Sequence, residues 1–229
     1  MSPRALFVAG AHTDVGKTHV ACALIAAARA RGLAVEALKP VVSGFDPADW
    51  SQSDPARLLT ALGLPMTVAE LERMSPWRFR APLAPPMAAR REHQRLEMAP
   101  LVAFCRHRLA ATRAELMLVE GVGGVMSPIA EQATGLDLMA ALRLPAILVG
   151  GSYLGAISHT LTALETLRAH GLAVAAVVVS QSADPDAPDF ADTVAAVAER
   201  MRDAHVIPAP RGPGSDWADR LDTATAGPA

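Results

Sequence analysis

Residues 10–18, GAHTDVGKT, decide the fold of this chain, because they join an apolar run at 5–9 to an alanine-rich helical pattern from Val20 to Arg31. A glycine-rich turn between a strand and a helix directs backbone N–H groups at a phosphate, and the helix N-terminus adds positive potential. In such a loop Lys17 reaches the outer phosphates and the hydroxyl of Thr18 holds Mg²⁺. The stretch therefore predicts a nucleoside triphosphate site.

This loop is a variant of the usual pattern, which has four residues between its two glycines. Here Ala11 occupies the position of the first glycine, and Gly10 lies one residue further out. Lys17 and Thr18, which act on phosphate and metal, match the usual pattern, so only the turn before them differs.

Short apolar runs alternate with helical patterns along the chain, which is typical of βαβ units. The runs cover residues 5–9, 35–38, 116–119, 146–149 and 174–179. Because they are nearly continuous rather than alternating, they predict parallel strands covered on both faces. We expect a single α/β domain over residues 1–229, a P-loop NTPase-like fold with a mostly parallel sheet and helices on both faces. Its segment from about residue 208 is rich in Pro and Gly, and we expect its last residues to fray.

Composition narrows the classes of partner and location. The net charge of −2 and pI near 6.4 disfavour nucleic acid and acidic membranes as partners. No apolar run approaches the roughly 20 residues of a membrane span, and the run at 5–9 leads directly into the loop, which leaves no room for a signal peptide. Cys22 and Cys105 lack disulfide or metal-ligand spacing, so we expect buried free thiols in a reducing cytoplasm.

For two further segments the sequence predicts a structure but no function. Residues 75–86 contain four prolines, which predicts an ordered irregular loop rather than a helix or strand. A helix is predicted over 98–112, with Leu101, Cys105 and Leu109 on its apolar face and its arginines on a solvated face.

Polar residues follow the predicted strands at their carboxyl ends, where ligands bind in open α/β sheets. Lys39 begins KPVVSG after the second strand, and Glu120 begins EGVGG after the run at 116–119. With Thr18 and phosphate oxygens, one or two carboxylates would complete a Mg²⁺ site. Asp54 is the other candidate carboxylate, although it is equally well explained as the first residue of a helix capped by Ser53.

The stretch YLGAISH, residues 153–159, opens a helix just after a strand. Its unpaired N–H groups would bind a substrate carboxylate, and the alternative is an ordinary helix start. For His159 a structural hydrogen bond is favoured over proton transfer. The other histidines have no ligand spacing, so hydrolase and zinc chemistry have no support.

Together these motifs resemble those of the dethiobiotin synthetases of the biotin pathway. That family has G-T-x-T-[DE]-V-G-K-T, K-P-V-x-[ST]-G, V-E-G-A-G-G and L-G-x-I-N-H, where this chain has GAHTDVGKT, KPVVSG, VEGVGG and LGAISH. Order and spacing agree from residue 6 to about 160, and residues 207–208 are similar to a family segment beside the nucleotide base. The longer phosphate loop is the family's own form.

The resemblance implies a single P-loop domain acting as a homodimer, with the substrate across the subunit interface. The family converts 7,8-diaminononanoate, CO2 and ATP into dethiobiotin, ADP and phosphate. A carbamate of the substrate attacks the γ-phosphate, and the second amine then closes the cyclic urea as phosphate leaves.

The resemblance also implies a role for each matching position. Catalytic roles fall to Lys17, Lys39, Thr13 and Ser43, and the metal ligands are Thr18, Asp54 and Glu120. Nucleotide contacts fall to Asp14, Val15, Gly16, Lys17, Thr18, His19, Glu120, Ser180 and Pro208. The diamine contacts Ser43, and the N–H groups of Gly155, Ala156, Ile157 and Ser158 from the partner subunit hold its carboxylate.

Three departures from the family pattern have consequences. Ala11 and His12 replace the Thr-Asp often found in the loop, and Ser158 replaces an Asn that contacts the substrate tail. Ser180-Gln181 stands where Asn-Asp commonly recognises adenine, and a serine lacks the paired donor and acceptor of an amide. We therefore expect a relaxed preference for ATP over other triphosphates.

Two other classes are less well supported. ATP-dependent amidases acting on corrinoid precursors have related domains, but they normally carry a glutamine amidotransferase domain, for which this chain has no room and no suitable cysteine. Partitioning ATPases typically have a second lysine early in the loop, where this chain has Ala11 or His12. Dethiobiotin synthesis remains the favoured function.

Overall fold

The computed structural model describes residues 3–201, 204–212 and 216–226. Its strands, in chain order, are β1 (Arg4–Gly10), β2 (Val35–Leu38), β3 (Val41–Ser43), β4 (Trp77–Phe79), β5 (Leu116–Glu120), β6 (Pro128–Ala130), β7 (Ala133–Thr134), β8 (Ala146–Gly150), β9 (Val174–Ser180) and β10 (Val206–Ala209). The helices are α1 (Lys17–Ala30), α2 (Asp54–Leu62), α3 (Val68–Met74), α4 (Pro85–Arg91), α5 (Met98–Ala111), α6 (Gly135–Leu142), α7 (Ala156–Ala169), α8 (Phe190–Glu199) and α9 (Asp216–Thr225).

Six strands form a parallel central sheet in the order β10-β9-β8-β1-β5-β2. The five apolar runs are all confirmed as strands of this sheet, within one residue at each end. The edge strand β10 was not predicted, because Pro208 interrupts its short pattern. Proline is tolerated at a sheet edge, where a missing N–H costs no ladder bond on the open side.

The sheet carries a hydrophobic core on each face, as the continuous apolar runs predicted. Leu6 and Val8 of β1 point into one core, together with buried side chains of α1, α2 and α9. Phe7 and Ala9 point into the other core, which α5, α6, α7 and α8 cover. Successive residues of a strand face opposite sides, so both faces of β1 must be apolar. The predicted fold class is confirmed.

The proline-rich segment at 75–86 is more regular than predicted. Trp77–Phe79 pairs with Val41–Ser43 as a small parallel sheet, and α4 begins at Pro85. Aromatic residues favour strands, and proline is well suited to the first turn of a helix because its missing N–H has no intrahelical partner there. The expectation of an irregular loop was therefore wrong for these residues.

The C-terminal segment also contains a helix that the Pro/Gly-rich composition concealed. Helix α9 packs against α1, and its Asp222 side chain is fully buried. This carboxylate accepts hydrogen bonds from Arg4 and from Nη1 of Arg31, the latter at 2.6 Å. The predicted fraying concerns residues 227–229, which lie outside the described residues.

The predicted apolar face of α5 is confirmed. In α5, Leu101 and Cys105 are buried and Leu109 is half-buried, while Arg108 pairs with Glu36 at 3.1 Å.

Of the two cysteines that were expected to be buried, Cys22 is only partly buried. Burial raises the pKa of both thiols to about 12, so neither is a ready nucleophile. Within the described ranges, no helix is long and apolar enough to cross a membrane.

Candidate active site at the carboxyl ends of the strands

The phosphate loop runs from the end of β1 to the start of α1 and contains two left-handed residues, Asp14 (φ 57°) and Gly16 (φ 92°). Gly16 is the N-cap of α1 and has no side chain to occupy the helix's first N–H groups. A Cβ at Gly16 would also lie 2.5 Å from Oγ of Ser180. Val15 points into the core, so only its backbone faces the loop. The loop thus presents backbone N–H groups at a helix N-terminus, the arrangement that binds phosphate.

Lys17 is buried at the first position of α1. Its Nζ lies 3.4 Å from the carbonyl oxygen of His12, across the loop. Burial, together with the nearby charge of Lys39, lowers the pKa of Lys17 to about 8. An anionic ligand would favour its charged form.

Buried Lys39 and Glu120 form a charged cluster with Thr18 and with Asp54, whose side chain is 41% exposed. The hydroxyl of Thr18 donates to Oε1 of Glu120 at 2.6 Å, and Nζ of Lys39 contacts the same oxygen. Nζ of Lys39 also lies 2.9 Å from Oδ2 of Asp54. Burial alone would lower the pKa of Lys39, but the two carboxylates outweigh it and raise this pKa. Burial would likewise raise the pKa of Asp54, but Lys39 holds it below its usual value.

The sheet order explains why distant residues meet here. Strands β1, β5 and β2 are neighbours, so Glu120 at the end of β5 and Lys39 just after β2 lie beside the phosphate loop. Asp54 opens α2, whose N-cap Ser53 accepts a hydrogen bond from the N–H of Ala56 at 3.4 Å. Asp54 is therefore confirmed as a first-turn helix residue capped by Ser53, and it also contacts Lys39, while its role as a metal ligand stays a prediction.

The donor set of this cluster fits Mg²⁺. Thr18, Asp54 and Glu120 supply hydroxyl and carboxylate oxygens, which hard cations prefer. Among the described residues, Oε2 of Glu120 is buried without a hydrogen-bond partner. A buried carboxylate oxygen without a partner is costly, and a cation would satisfy it.

Two predicted hydroxyl groups lie near the same edge. Ser43 ends β3, and its Oγ is buried with no hydrogen-bond partner in the described part of the chain. Thr13 is exposed on the loop and faces Gly123, with Oγ1 lying 3.7 Å from where a Cβ of that glycine would stand. The hydroxyl of Ser43 therefore has unused hydrogen-bonding capacity, and that of Thr13 is accessible from solvent.

At the start of α7, one of the four N–H groups expected to bind a carboxylate already has a partner. The N-cap Gly155 is left-handed (φ 94°), but the N–H of Ala156 already donates to the carbonyl of Tyr153 at 2.9 Å. Gly155, Ile157 and Ser158 remain as candidate donors to a carboxylate.

His159 has the structural hydrogen bond that the sequence favoured. Its Nδ1 lies 2.8 Å from the hydroxyl of Tyr153. Its ring also stacks on His12 of the phosphate loop, with centroids 5.3 Å apart. No sequence pattern predicts this stack, because its two members lie on separate elements.

The other half of the edge, at the ends of β9 and β10, has no buried charged cluster of this kind among the residues described. Ser180 lies opposite Ala209 of β10, next to Pro208. The side-chain oxygen of Gln181 accepts from the N–H of Arg211 at 2.8 Å, and its backbone oxygen accepts from Nε of Arg211 at 2.8 Å. Gln181 thus holds the segment after β10 in place.

His19 lies on the same side, against Trp217 of α9. The ring centroids are 5.6 Å apart, and burial together with Arg211 lowers the pKa of His19. Arg211 and Trp217 were not predicted as site residues, because they lie in a segment whose composition indicates irregular structure.

Comparisons with known proteins agree with this geometry. A family model described as an AAA domain matches residues 4–208. An ATP-dependent dethiobiotin synthetase from Phenylobacterium zucineum is 58% identical over 96% of this chain and 94% of its own length. Those from Caulobacter vibrioides and Methylobacterium nodulans are 54% and 52% identical, over 96% and 91% of this chain and 98% and 94% of their own.

Solved structures with low sequence identity share the fold. The MinC:MinD cell division complex of Aquifex aeolicus contains a chain that is 13% identical, with a TM-score of 0.53 over 96% of this chain and 86% of its own. The signal recognition particle receptor FtsY of Elizabethkingia anophelis is 14% identical, with a TM-score of 0.50 over 97% of this chain and 65% of its own. These likenesses concern the fold alone, whereas identities above 50% over nearly the whole chain show that it is an enzyme of the ATP-dependent dethiobiotin synthetase family.

Proposed function

We propose that this enzyme converts 7,8-diaminononanoate, CO2 and ATP into dethiobiotin, ADP and phosphate. The observation that carries the proposal is the convergence of Lys17, Lys39, Asp54 and Glu120 beside one phosphate loop. Phosphoryl transfer needs positioning and charge neutralisation rather than elaborate acid–base groups. Two buried lysines at the end of a phosphate loop supply that charge where water is largely excluded.

The reaction divides into three steps. One substrate amine adds to CO2 and loses a proton, which gives a carbamate. A carbamate oxygen attacks the γ-phosphorus, and the bond to the bridging oxygen of ADP breaks. The second amine attacks the carbamate carbon and loses a proton, the bond to phosphate breaks, and the cyclic urea forms.

Each catalytic side chain has a part in these steps. Lys17 and Lys39 neutralise charge on the γ-phosphate and the carbamate oxygens. The hydroxyls of Thr13 and Ser43 orient the same region, because neither has a partner within the described residues that would compete. Such fixed donors lower the barrier when they are aimed at the atoms where charge develops.

Thr18, Asp54 and Glu120 would hold Mg²⁺, which supplies a positive charge that screens the phosphate oxygens. Glu120 has one carboxylate oxygen with no partner among the residues described and is therefore the ligand best prepared for a cation. The neighbouring loop residues Asp14, Val15, Gly16 and His19 would surround the phosphates.

The nucleotide would lie from the lysines toward β9 and β10, with its base beside Ser180 and Pro208. The sheet order supports this direction, because the charged cluster lies on one side of β1 and these two strands lie on the other. Ser180 has a single hydroxyl and lies against Gly16. A relaxed preference for ATP follows, since the site lacks an amide that pairs with adenine.

The substrate carboxylate would bind the N–H groups of Gly155, Ile157 and Ser158 from the partner subunit of a homodimer. Leu154, at the tip of this loop, is 88% exposed, and such a side chain is well suited to a subunit contact. Sedimentation measurements would give the oligomeric state.

Mixing two inactive variants tests whether the site is shared. Lys39→Ala disables the part of the site that one subunit supplies, and Ser158→Asp disables the part that its partner supplies. If the site is shared, half of the dimers after subunit exchange are mixed and each of these has one intact site out of two. The mixture then regains roughly a quarter of wild-type activity. Two variants that stay inactive after exchange would place both halves in one subunit.

We infer a cytoplasmic location and small-molecule partners, without nucleic acid or membrane. The thiols of Cys22 and Cys105 are unpaired, and the net charge of −2 offers no attraction to polyanions. The partitioning ATPases have less support as a class, because the chain of the MinC:MinD complex shares only the fold, at 13% identity. Co-sedimentation with DNA or liposomes in the presence of ATP would separate that class from ours.

The deciding experiment supplies Mg-ATP, bicarbonate and 7,8-diaminononanoate to the purified enzyme. We expect phosphate release that depends on the diamine, together with a product whose mass is that of the cyclic urea. ATP hydrolysis that does not depend on the diamine and yields no cyclic urea would refute the proposed function.

A further inference from the structure

Lys39 lies between the two carboxylates that we assign to the metal. Its Nζ contacts Oε1 of Glu120 and lies 2.9 Å from Oδ2 of Asp54. The side chains of Lys39 and Glu120 are 4% and 1% exposed, so water offers neither of them a substitute partner. The ammonium group is thus the cation that balances this pair.

Lys17 differs from Lys39 although both are buried at the same edge. Its polar contact is the carbonyl of His12 rather than a carboxylate. Lys17 therefore adds positive charge near the site without occupying the ligand oxygens. Substitution of Lys17 therefore measures the effect of a nearby charge, and substitution of Lys39 measures the effect of a charge in direct contact with the carboxylates.

An ammonium group and Mg²⁺ cannot both be held by the same carboxylate oxygens. Mg²⁺ requires its oxygen ligands at about 2.1 Å, and a second cation in contact with those oxygens would be repelled strongly in a buried site. Oε1 of Glu120 already accepts from Thr18 and Lys39, while its Oε2 has no partner in the described part of the chain. A metal ion that binds Oε1 of Glu120 or Oδ2 of Asp54 must therefore displace Lys39. A metal ion bound at Oε2 of Glu120 alone would still lie close enough to Nζ for like-charge repulsion to weaken its contact with Oε1.

We propose that Lys39 is a built-in competitor for the divalent cation, which leaves Asp54 and Glu120 only when Mg²⁺ arrives with its nucleotide. The displaced ammonium then has the anionic phosphate and carbamate oxygens as its new partners. Its charge reaches the reacting atoms only in a site that already holds metal and nucleotide. This inference rests on the proposed function for the position of the metal.

Metal binding without nucleotide tests the competition. Mn²⁺ titrations followed by electron paramagnetic resonance would compare the wild type with Lys39→Met, Lys39→Arg and Lys17→Met. We expect Lys39→Met to bind Mn²⁺ at least roughly tenfold more tightly than the wild type, because the carboxylates lose their internal cation. Lys39→Arg should stay as weak as the wild type, and Lys17→Met should gain much less than Lys39→Met.

The outcomes separate the inference from the proposed function. Equal Mn²⁺ affinity in wild type and Lys39→Met would overturn the competition while leaving the proposed reaction intact. An equal gain in Lys17→Met would overturn it too, since nearby charge alone would then explain the effect. Absence of Mn²⁺ binding in every protein, even with a non-hydrolysable ATP analogue, would overturn both the competition and the metal site.

A measurement on the wild type covers the case in which Lys39→Met does not fold. A crystal structure with Mg²⁺ and a non-hydrolysable ATP analogue should show Nζ of Lys39 beyond hydrogen-bonding distance of Glu120 and Asp54. An Nζ that stays bonded to both carboxylates beside a bound metal would contradict the inference.

Discussion

The two halves of the sheet's carboxyl edge are built from different chemistry. The β5–β2 half, meaning Thr18, Lys39, Asp54 and Glu120, consists of hydroxyl and charged groups that contact one another directly. The β9–β10 half, meaning Ser180, Gln181 and residues 208–211, is built largely from backbone groups and neutral side chains.

Under the proposed function, this difference follows from what each half would bind. Phosphate and metal are bound by charge, which few residue types can supply at a fixed position. A base can be held by shape and backbone groups, which many sequences provide. Thr18, Lys39 and Glu120 of the β5–β2 half accordingly match the family motifs, and the departure at Ser180-Gln181 falls in the other half.

The largest effect that we predict comes from removing the charge of Lys39. Lys39→Ala should lower kcat by roughly 10³-fold, because a buried cation aimed at the transferred phosphoryl group is lost. The Kd of the nucleotide should change by less than about threefold, as expected for a group that acts mainly in the transition state. Steady-state kinetics and equilibrium titration would measure the two quantities separately. A variant that lost only nucleotide affinity would contradict this role.

Next in size is the loss of the buried bridge that joins α9 to β1 and to the end of α1. Asp222→Ala should lower the free energy of unfolding by about 2–3 kcal/mol, because a buried carboxylate bridging Arg4 and Arg31 is removed. Urea denaturation would measure the loss, and kcat below the new unfolding midpoint should stay near the wild-type value.

A matched control for Asp222 is the exposed pair of Arg90 and Glu131. Its two hydrogen bonds are both 2.9 Å long, but water can replace either partner. Glu131→Ala should therefore cost much less stability than Asp222→Ala. Equal losses would show that the buried bridge contributes nothing beyond an ordinary surface pair.

A smaller effect concerns the pH dependence of nucleotide binding. The pKa of Lys17 is lowered from 10.5 to about 8, so the free enzyme loses this proton as the pH rises through that value. Phosphate favours the charged lysine, so binding above that pH takes up a proton and affinity falls by up to roughly tenfold per pH unit. Titration calorimetry in buffers of different ionisation enthalpy would measure the proton uptake. In Lys17→Met the decline should flatten, and an unchanged decline would exclude Lys17 as its source.

The same pKa shift fixes the sign of one contribution to folding stability. Between about pH 8 and 10.5 the unfolded chain holds more protons on Lys17 than the folded enzyme does. The contribution of Lys17 to stability therefore rises with pH across that window.

The smallest effect that we predict is on nucleotide choice. ATP, CTP and GTP should have kcat/KM values within about tenfold of one another, because Ser180 offers little discrimination between bases. Gln181→Ala should raise the KM of all three alike, since Gln181 holds Arg211 rather than facing a base edge. A strong preference for ATP in the wild type would contradict the relaxed recognition.

The five strands β1, β2, β5, β8 and β9 and the phosphate loop were predictable because their signals are local. A continuous apolar run such as that in β5 reports burial on both faces, and the residues after it mark the binding edge. Strands β4 and β10 were missed because their proline-containing surroundings indicate a loop, while tertiary pairing decides otherwise. Helix α9 was missed for the same reason: its packing on α1 outweighs the composition of the flanking residues.

The phosphate loop, the class of fold and the residues available for phosphate and metal chemistry could be predicted, because each depends on residue type and short spacing. Which of these groups contact one another depends on the tertiary structure. It brings Lys39 against Asp54 and Glu120, stacks His12 on His159 and uses the N–H of Ala156 within its own turn. Such contacts depend on the order of parallel strands and on the exact approach of separate elements, which no local pattern of residues records.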